Sequence, residues 1–134
     1  MSTTVHPSAS GIPALCTHLR RAFRKGAHAA ELLTYTPDVI DMVCPGPPET
    51  IYERAVRAEH AITAAVEAME PPRDAIMGTL LCLRPRTMGV ALDRRRAQAA
   101  RAAGVTTETF RRERQHEQVI VLDLALRLGI PRTA

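Results

Sequence analysis

Histidines, cysteines and paired carboxylates are the side chains that carry acid–base, nucleophilic and metal chemistry, and this chain brings few of them together. His18, His28, His60 and His116 each lack a cysteine or carboxylate at ligand spacing, so all four read as surface histidines. Asp38 with Asp41, and Glu67 with Glu70, stand one helical turn apart, a spacing that suits a bound cation or an acid–base pair. Neither a nucleophile nor a glycine-rich phosphate loop accompanies them, and they read as acidic helix surface. Cys16, Cys44 and Cys82 are odd in number and widely separated, which fits neither a disulfide framework nor a paired metal clamp. Cys16 and Cys82 lie in apolar surroundings and read as core thiols, and Cys44, beside a proline-rich turn, as an exposed one. The sequence therefore predicts no catalytic residue, no metal site and no cofactor, in a protein of a reducing, cytoplasmic compartment.

The charged residues say more through their placement than through their sum. The net charge is +4. Residues 12–33 hold four bases and one acid (+3), residues 34–83 three bases and eight acids (−5), and residues 84–118 nine bases and four acids (+5). Such segregation predicts either an anionic partner for the basic parts or contact between the acidic and basic segments. Seventeen of the 18 bases are arginine, with Lys25 alone. That bias, together with abundant alanine, is also what a GC-rich genome produces, so the arginine count by itself is no evidence of phosphate contacts. Arg20, Arg21, Arg24 and Lys25 read as the solvated face of a helix.

The strongest local pattern runs from Gln98 to Arg112. Ala100 is small enough for two helices to cross closely, Gly104 allows a left-handed turn, and Val105 and Phe110 fill the wedge between the helices. Thr106 is placed to cap the second helix. This segment resembles the helix-turn-helix of DNA-binding proteins. The resemblance implies contacts to duplex DNA from Arg94, Arg95, Arg96, Thr107, Glu108, Arg111, Arg112 and Arg114, with Arg111 and Arg112 turned outward because Phe110 turns in. The motif carries another apolar residue three positions after Phe110, where this chain has Glu113. The second helix then either leaves the core early or the segment is an αα-corner.

A wider pattern spans Leu83 to Leu128: Leu83, Pro85, Thr87-Met88-Gly89, Leu92, Arg94-Arg95, Ala99-Ala100, Gly104-Val105, Thr109-Phe110-Arg111-Arg112 and the apolar tail from Ile120 to Leu128. It resembles a helical module of short actinobacterial proteins associated with regulatory or defence-type multi-gene systems, and that likeness implies an adaptor or regulator, an interaction protein more than a sequence-specific DNA binder.

The elements that must position these residues are helices. A chain of 134 residues, 46% hydrophobic, is long enough to bury roughly two-thirds of its unfolded surface without disulfides. With two Phe, two Tyr and no Trp, its core must be built from Leu, Ile, Val, Met and Ala. The sequence predicts an all-α bundle of five to six helices over residues 12–134, with a disordered tail over residues 1–11. No segment has the length of a membrane span. Apolar periodicity places a first helix from Pro13 through Leu33 and a short one opening at Thr36-Pro37-Asp38. Thr50 and Glu53 form a capping box for a third, with Ile51, Ala55, Ala58, Ile62, Ala65, Val66 and Met69 as its stripe. A helix from Asp74 through Leu83 is apolar on most sides and belongs at the centre. Helices from about Leu92 to Ala103, and from Thr106 or Thr107 to just before Gly129-Ile130-Pro131, complete the chain. The last is broadly apolar, and its stripe of Ile120, Leu124 and Leu128 is expected to meet a second chain in a homodimer.

Overall fold

In the computed structural model, which describes residues 7–112 and 115–129, with the backbone alone at positions 7–10, 107, 111, 112, 115 and 116, every regular element is helical. In chain order these are α1 (Pro7–Ala22), α2 (Ala29–Tyr35), α3 (Pro37–Val43), a 3-10 turn (Pro48–Thr50), α4 (Ile51–Glu67), α5 (Arg73–Leu80), α6 (Leu92–Ala103), α7 (Thr107–Arg112) and α8 (Gln115–Gly129). The all-α class stands, and the helices outnumber the expected five to six because two long predicted ones are each given as two elements. No described helix is long and apolar enough to cross a membrane.

The first division is at Gly26. Its φ of +100° turns the chain, and the amide of Ala27 then donates to the carbonyl of Leu81 at 2.9 Å, so the α1–α2 turn is stitched to the end of α5. At its other end α1 starts at Pro7, taking in part of the stretch expected to be a tail, and Pro13 sits inside the helix at the loss of one backbone hydrogen bond.

α4 and α5 form the middle of the core. The stripe on α4 buries Ala55, Ala58, Ile62 and Val66, and α4 packs against α2, α3, α5 and α8. Ile76, Met77, Gly78, Thr79 and Leu80 of α5 are all buried, the central position its composition predicts. α1 lies along α8 and α5 along α6, the two most extensive pairings. The orientation of α8 departs from expectation. Ile120 and Leu124 are buried and Leu128 is half-buried, whereas Val119, Leu122 and Leu126 on the opposite side are exposed. Packing against α1 and α4 decides the face, since the helix is apolar enough on both sides for either to have served.

Two expected caps are made differently. Thr50 holds the N-cap position of α4, but its hydroxyl donates to the carbonyl of Pro47 (2.8 Å) and accepts from Nε of Arg54 (3.1 Å), so the capping box with Glu53 does not form. Arg54, 4% exposed, also donates to Asp41 (3.0 Å) and to the carbonyls of Cys44 (3.3 Å) and Pro47 (2.9 Å), fixing the proline-rich turn onto α4. Thr36 closes α2 and opens α3 through its backbone, and its buried hydroxyl has no hydrogen-bond partner. Removing that orphaned hydroxyl while keeping the shape should help folding: Thr36→Val is expected to raise stability by about 1 kcal/mol in urea unfolding. A loss of stability in the valine variant would show that the hydroxyl is satisfied in solution.

α8 is tied down by Asp123, which accepts from Arg73 (2.8 Å) at the start of α5 and from Arg127 (2.9 Å) on its own helix. Arg127 also donates to the carbonyl of Ala68 (3.2 Å). Burial alone would push the Asp123 carboxyl up, but the hydrogen bonds and charges of Arg73 and Arg127 outweigh it and hold the carboxyl below its ordinary value. A carboxylate depressed in the folded state contributes stability above its unfolded pKa of about 4 and loses it as pH falls through the lower folded value. The parent should therefore lose more stability than Asp123→Asn between about pH 5 and pH 3. Equal losses would mean that the two arginines are held by packing alone.

Candidate nucleic-acid interface

The α6–α7 corner forms as its residues dictate. Gly104 takes a φ of +74° and ends α6, with the amide of Val105 donating to the carbonyl of Ala100 at 3.0 Å. Ala99, Ala100 and Phe110 are buried, Val105 packs half-buried against the core, and the hydroxyl of Thr106 accepts from the amide of Thr109 (3.1 Å). Beyond this corner the structure gives the expected long helix as two elements, α7 and α8. Glu113 and Arg114 lie outside the described residues, as do the side chains of Thr107, Arg111 and Arg112. Glu108 is exposed on α7.

Of the three consecutive arginines that open α6, only Arg94 stands free in solvent. Arg95 departs from the expected surface contact: it is 1% exposed, the largest of the fully buried side chains. Its guanidinium donates to the carbonyls of Val90 (2.9 Å), Leu80 and Arg24 (3.2 Å). Leu80 ends α5, and Arg24 lies just past the end of α1, where the chain tightens through bonds from Phe23 and Arg24 to the carbonyls of Arg20 and Arg21. Helix C-termini carry partial negative charge and unsatisfied carbonyls, so one buried cation caps two of them without a carboxylate. Burial pulls the Arg95 guanidinium below its ordinary value, yet arginine keeps its charge. The sequence holds a signal for this inward turn: Arg95 is three residues after Leu92 and four before Ala99, on the apolar stripe of α6.

Arg95 thereby sets the start of α6 against the end of α1, and a basic cleft of about 370 Å³ opens between them, lined by Thr17, Arg20, Arg21, Phe23, Arg24, Leu92 and Arg96. Along α1 and the turn that follows it, Leu19, Ala22 and Phe23 face the core while Arg20, Arg21 and Arg24 are exposed. Among the described residues none of Arg20, Arg21, Arg24 and Arg94 has a carboxylate partner. Arg96 is partly neutralised, its Nε and Nη2 bound to Glu117 of α8 at 2.7 and 3.3 Å. Among the described residues no carboxylate lines the cleft. The arginines on α1, read from sequence as a solvated helix face, are thus one wall of a concave basic surface. The contact between Arg95 and Arg24, 71 residues apart, joins the two walls directly.

The remaining candidates separate. Asp38 lies 3.8 Å from His18 and Asp41 3.0 Å from Arg54, so the two carboxylates serve different partners. His28 is no free surface histidine. It bridges Glu59 (Nδ1 to Oε2, 3.1 Å) and the carbonyl of Cys82 (2.8 Å), while the other oxygen of Glu59 accepts from the amide of Ala29 (2.8 Å). Burial pushes the Cys16 and Cys82 thiols up, away from reactivity. Cys44 is half-buried where exposure was expected. Among the described residues no group of three or more His, Cys, Asp or Glu is placed to hold a metal ion.

No protein-family model, curated protein or solved structure matches the chain, so its function is read from its own side chains.

Proposed function

We propose that this protein is a non-enzymatic nucleic-acid-binding module, with duplex DNA as its partner and a regulatory role. The observation that carries this reading is the α1–α6 cleft, where Arg20, Arg21 and Arg24 have no carboxylate partner, and the lining no carboxylate, among the described residues. Charge segregation alone allows these arginines to be consumed by the acidic middle of the chain. Instead, the carboxylates of that middle with an ion-pair partner among the described residues go to His18, His28 and Arg54, leaving the α1 arginines to solvent. Arg96 of the lining adds to it, and Arg94, exposed about 160° round α6 from Leu92 and Arg96, is proposed as a separate contact. Thr107, Glu108, Arg111 and Arg112 of α7, together with Arg114, which lies outside the described residues, are proposed to extend the contact. Labelled duplex DNA titrated with the full chain should bind with a dissociation constant of about 10⁻⁴ to 10⁻⁶ M at physiological salt and more tightly below it. Absence of binding even at low salt would sink this reading.

A second reading, an adaptor for a protein partner or a homodimer, has one observation in its favour. Val119, Leu122 and Leu126 are 48%, 43% and 45% exposed and form a stripe along the outer side of α8. Three half-covered aliphatic side chains fall well short of the roughly 800 Å² per partner of a stable interface, which ranks this reading second. Sedimentation at high micromolar concentration separates the two, since self-association predicts a dimer and the nucleic-acid module does not require one.

A further inference from the structure

We infer that the α1–α6 cleft holds the phosphate backbone of a nucleic-acid duplex and reads no bases, a statement that rests on the nucleic-acid reading above and gives it a mode. Arg20, Arg21, Arg24 and Arg96 and the hydroxyl of Thr17 are the polar groups of the lining. Guanidinium forks match phosphate oxygens in pairs and, on a helix of fixed pitch, meet a backbone that repeats whatever the sequence. The lining holds no Asn or Gln to pair with adenine, and its one aromatic, Phe23, is 1% exposed and belongs to the core; arginine pairs with guanine as well as with phosphate, and comparing duplexes of two sequences separates the two. A single strand therefore finds no stacking platform in the cleft, which favours a duplex over unpaired bases. The partial negative charge at the end of α1 would oppose an anion there, but the carbonyl of Arg24 is already taken by the Arg95 guanidinium. The cleft thus stays positive at the helix end where it opens.

The test uses the full chain and labelled duplexes of two unrelated sequences, with a single strand of the same length, titrated by fluorescence anisotropy across salt. Arg20, Arg21 and Arg24 together are expected to contribute about −2.7 to the slope of log affinity against log salt, or roughly 40-fold of the loss between about 50 and about 200 mM salt. The two duplexes should agree within about twofold, and the single strand should bind more weakly. The triple variant Arg20→Ala, Arg21→Ala, Arg24→Ala should lose most of that slope while its thermal unfolding stays close to the parent's, because all three side chains are exposed. The corresponding triple lysine variant should keep most of it, since the charge is retained. A salt slope left unchanged by the triple alanine change, a preference of about tenfold or more for one duplex that disappears in that variant, or tighter binding of the single strand would overturn the inference while leaving nucleic-acid binding standing. Failure of both nucleic acids to bind at the lowest salt would instead remove the nucleic-acid reading itself.

Discussion

Arg95→Met is expected to lower folding stability by about 3–5 kcal/mol, the largest effect of any arginine replacement in this chain. Methionine fills much of the same volume, so the loss is one of hydrogen bonds and charge rather than of packing. The carbonyls of Leu80, Val90 and Arg24 all accept from this guanidinium. Without it they are left in a site where the side chain is 1% exposed, and each buried acceptor without a donor costs about 1–3 kcal/mol. Lysine should not rescue, because one ammonium at the end of a flexible stem cannot span three acceptors arranged for a planar fork. Urea unfolding of the parent, Arg95→Met and Arg95→Lys measures this directly. A methionine variant within about 1 kcal/mol of the parent would mean that the carbonyls find water and that the buried cation is dispensable. Arg94→Ala, on an exposed side chain of the same helical turn, serves as the control and should change stability by no more than about 0.5 kcal/mol.

The contrast between neighbouring arginines shows how far the sequence carries. Features set by contacts within a few residues are legible: the Gly104 turn, the Thr106 cap, the burial of Ala100 and Phe110, the stripe of α4 and the central place of α5. Features set by distant partners are not. The helical periodicity of residues 13–33 continues through Gly26, where a glycine after Arg24-Lys25 is the one local sign of a helix end, and the turn is held by the distant Leu81 and Cys82. α8 carries apolar residues on two sides, and periodicity cannot say which side α1 and α4 will cover. The candidate site has the same character. The α1 arginines are an ordinary solvated row until α6 is laid beside them, and what lays it there is a side chain whose charge suggests the surface. Its position on the α6 stripe was the available clue, and charge outweighed it.

Gly26 and Gly104 both adopt positive φ, and the structure predicts very different penalties for giving them a side chain. At Gly104 nothing lies within 4 Å of the place a Cβ would occupy, so Gly104→Ala bears only the left-handed backbone cost of about 1–2 kcal/mol, and asparagine should be tolerated better. At Gly26 a Cβ would sit 2.9 Å from Cβ and 3.2 Å from Sγ of Cys82, and 3.2 Å from the carbonyl oxygen of Leu81. Neither neighbour is free to retreat. Leu81 holds the amide of Ala27 through that same carbonyl, and the carbonyl of Cys82 is held by His28, which is in turn fixed by Glu59. Overpacking of about 1–3 kcal/mol therefore adds to the backbone term, and Gly26→Ala should be destabilised by about 3 kcal/mol or more. The displacement would pass into the junction that carries Arg24 and Leu80, so the same variant should also lose affinity for duplex DNA if the cleft is the binding surface. Gly104→Ala leaves that junction alone. Chemical denaturation of the two variants side by side checks the ranking, and equal losses would show that the α1–α2 turn yields where the packing says it cannot.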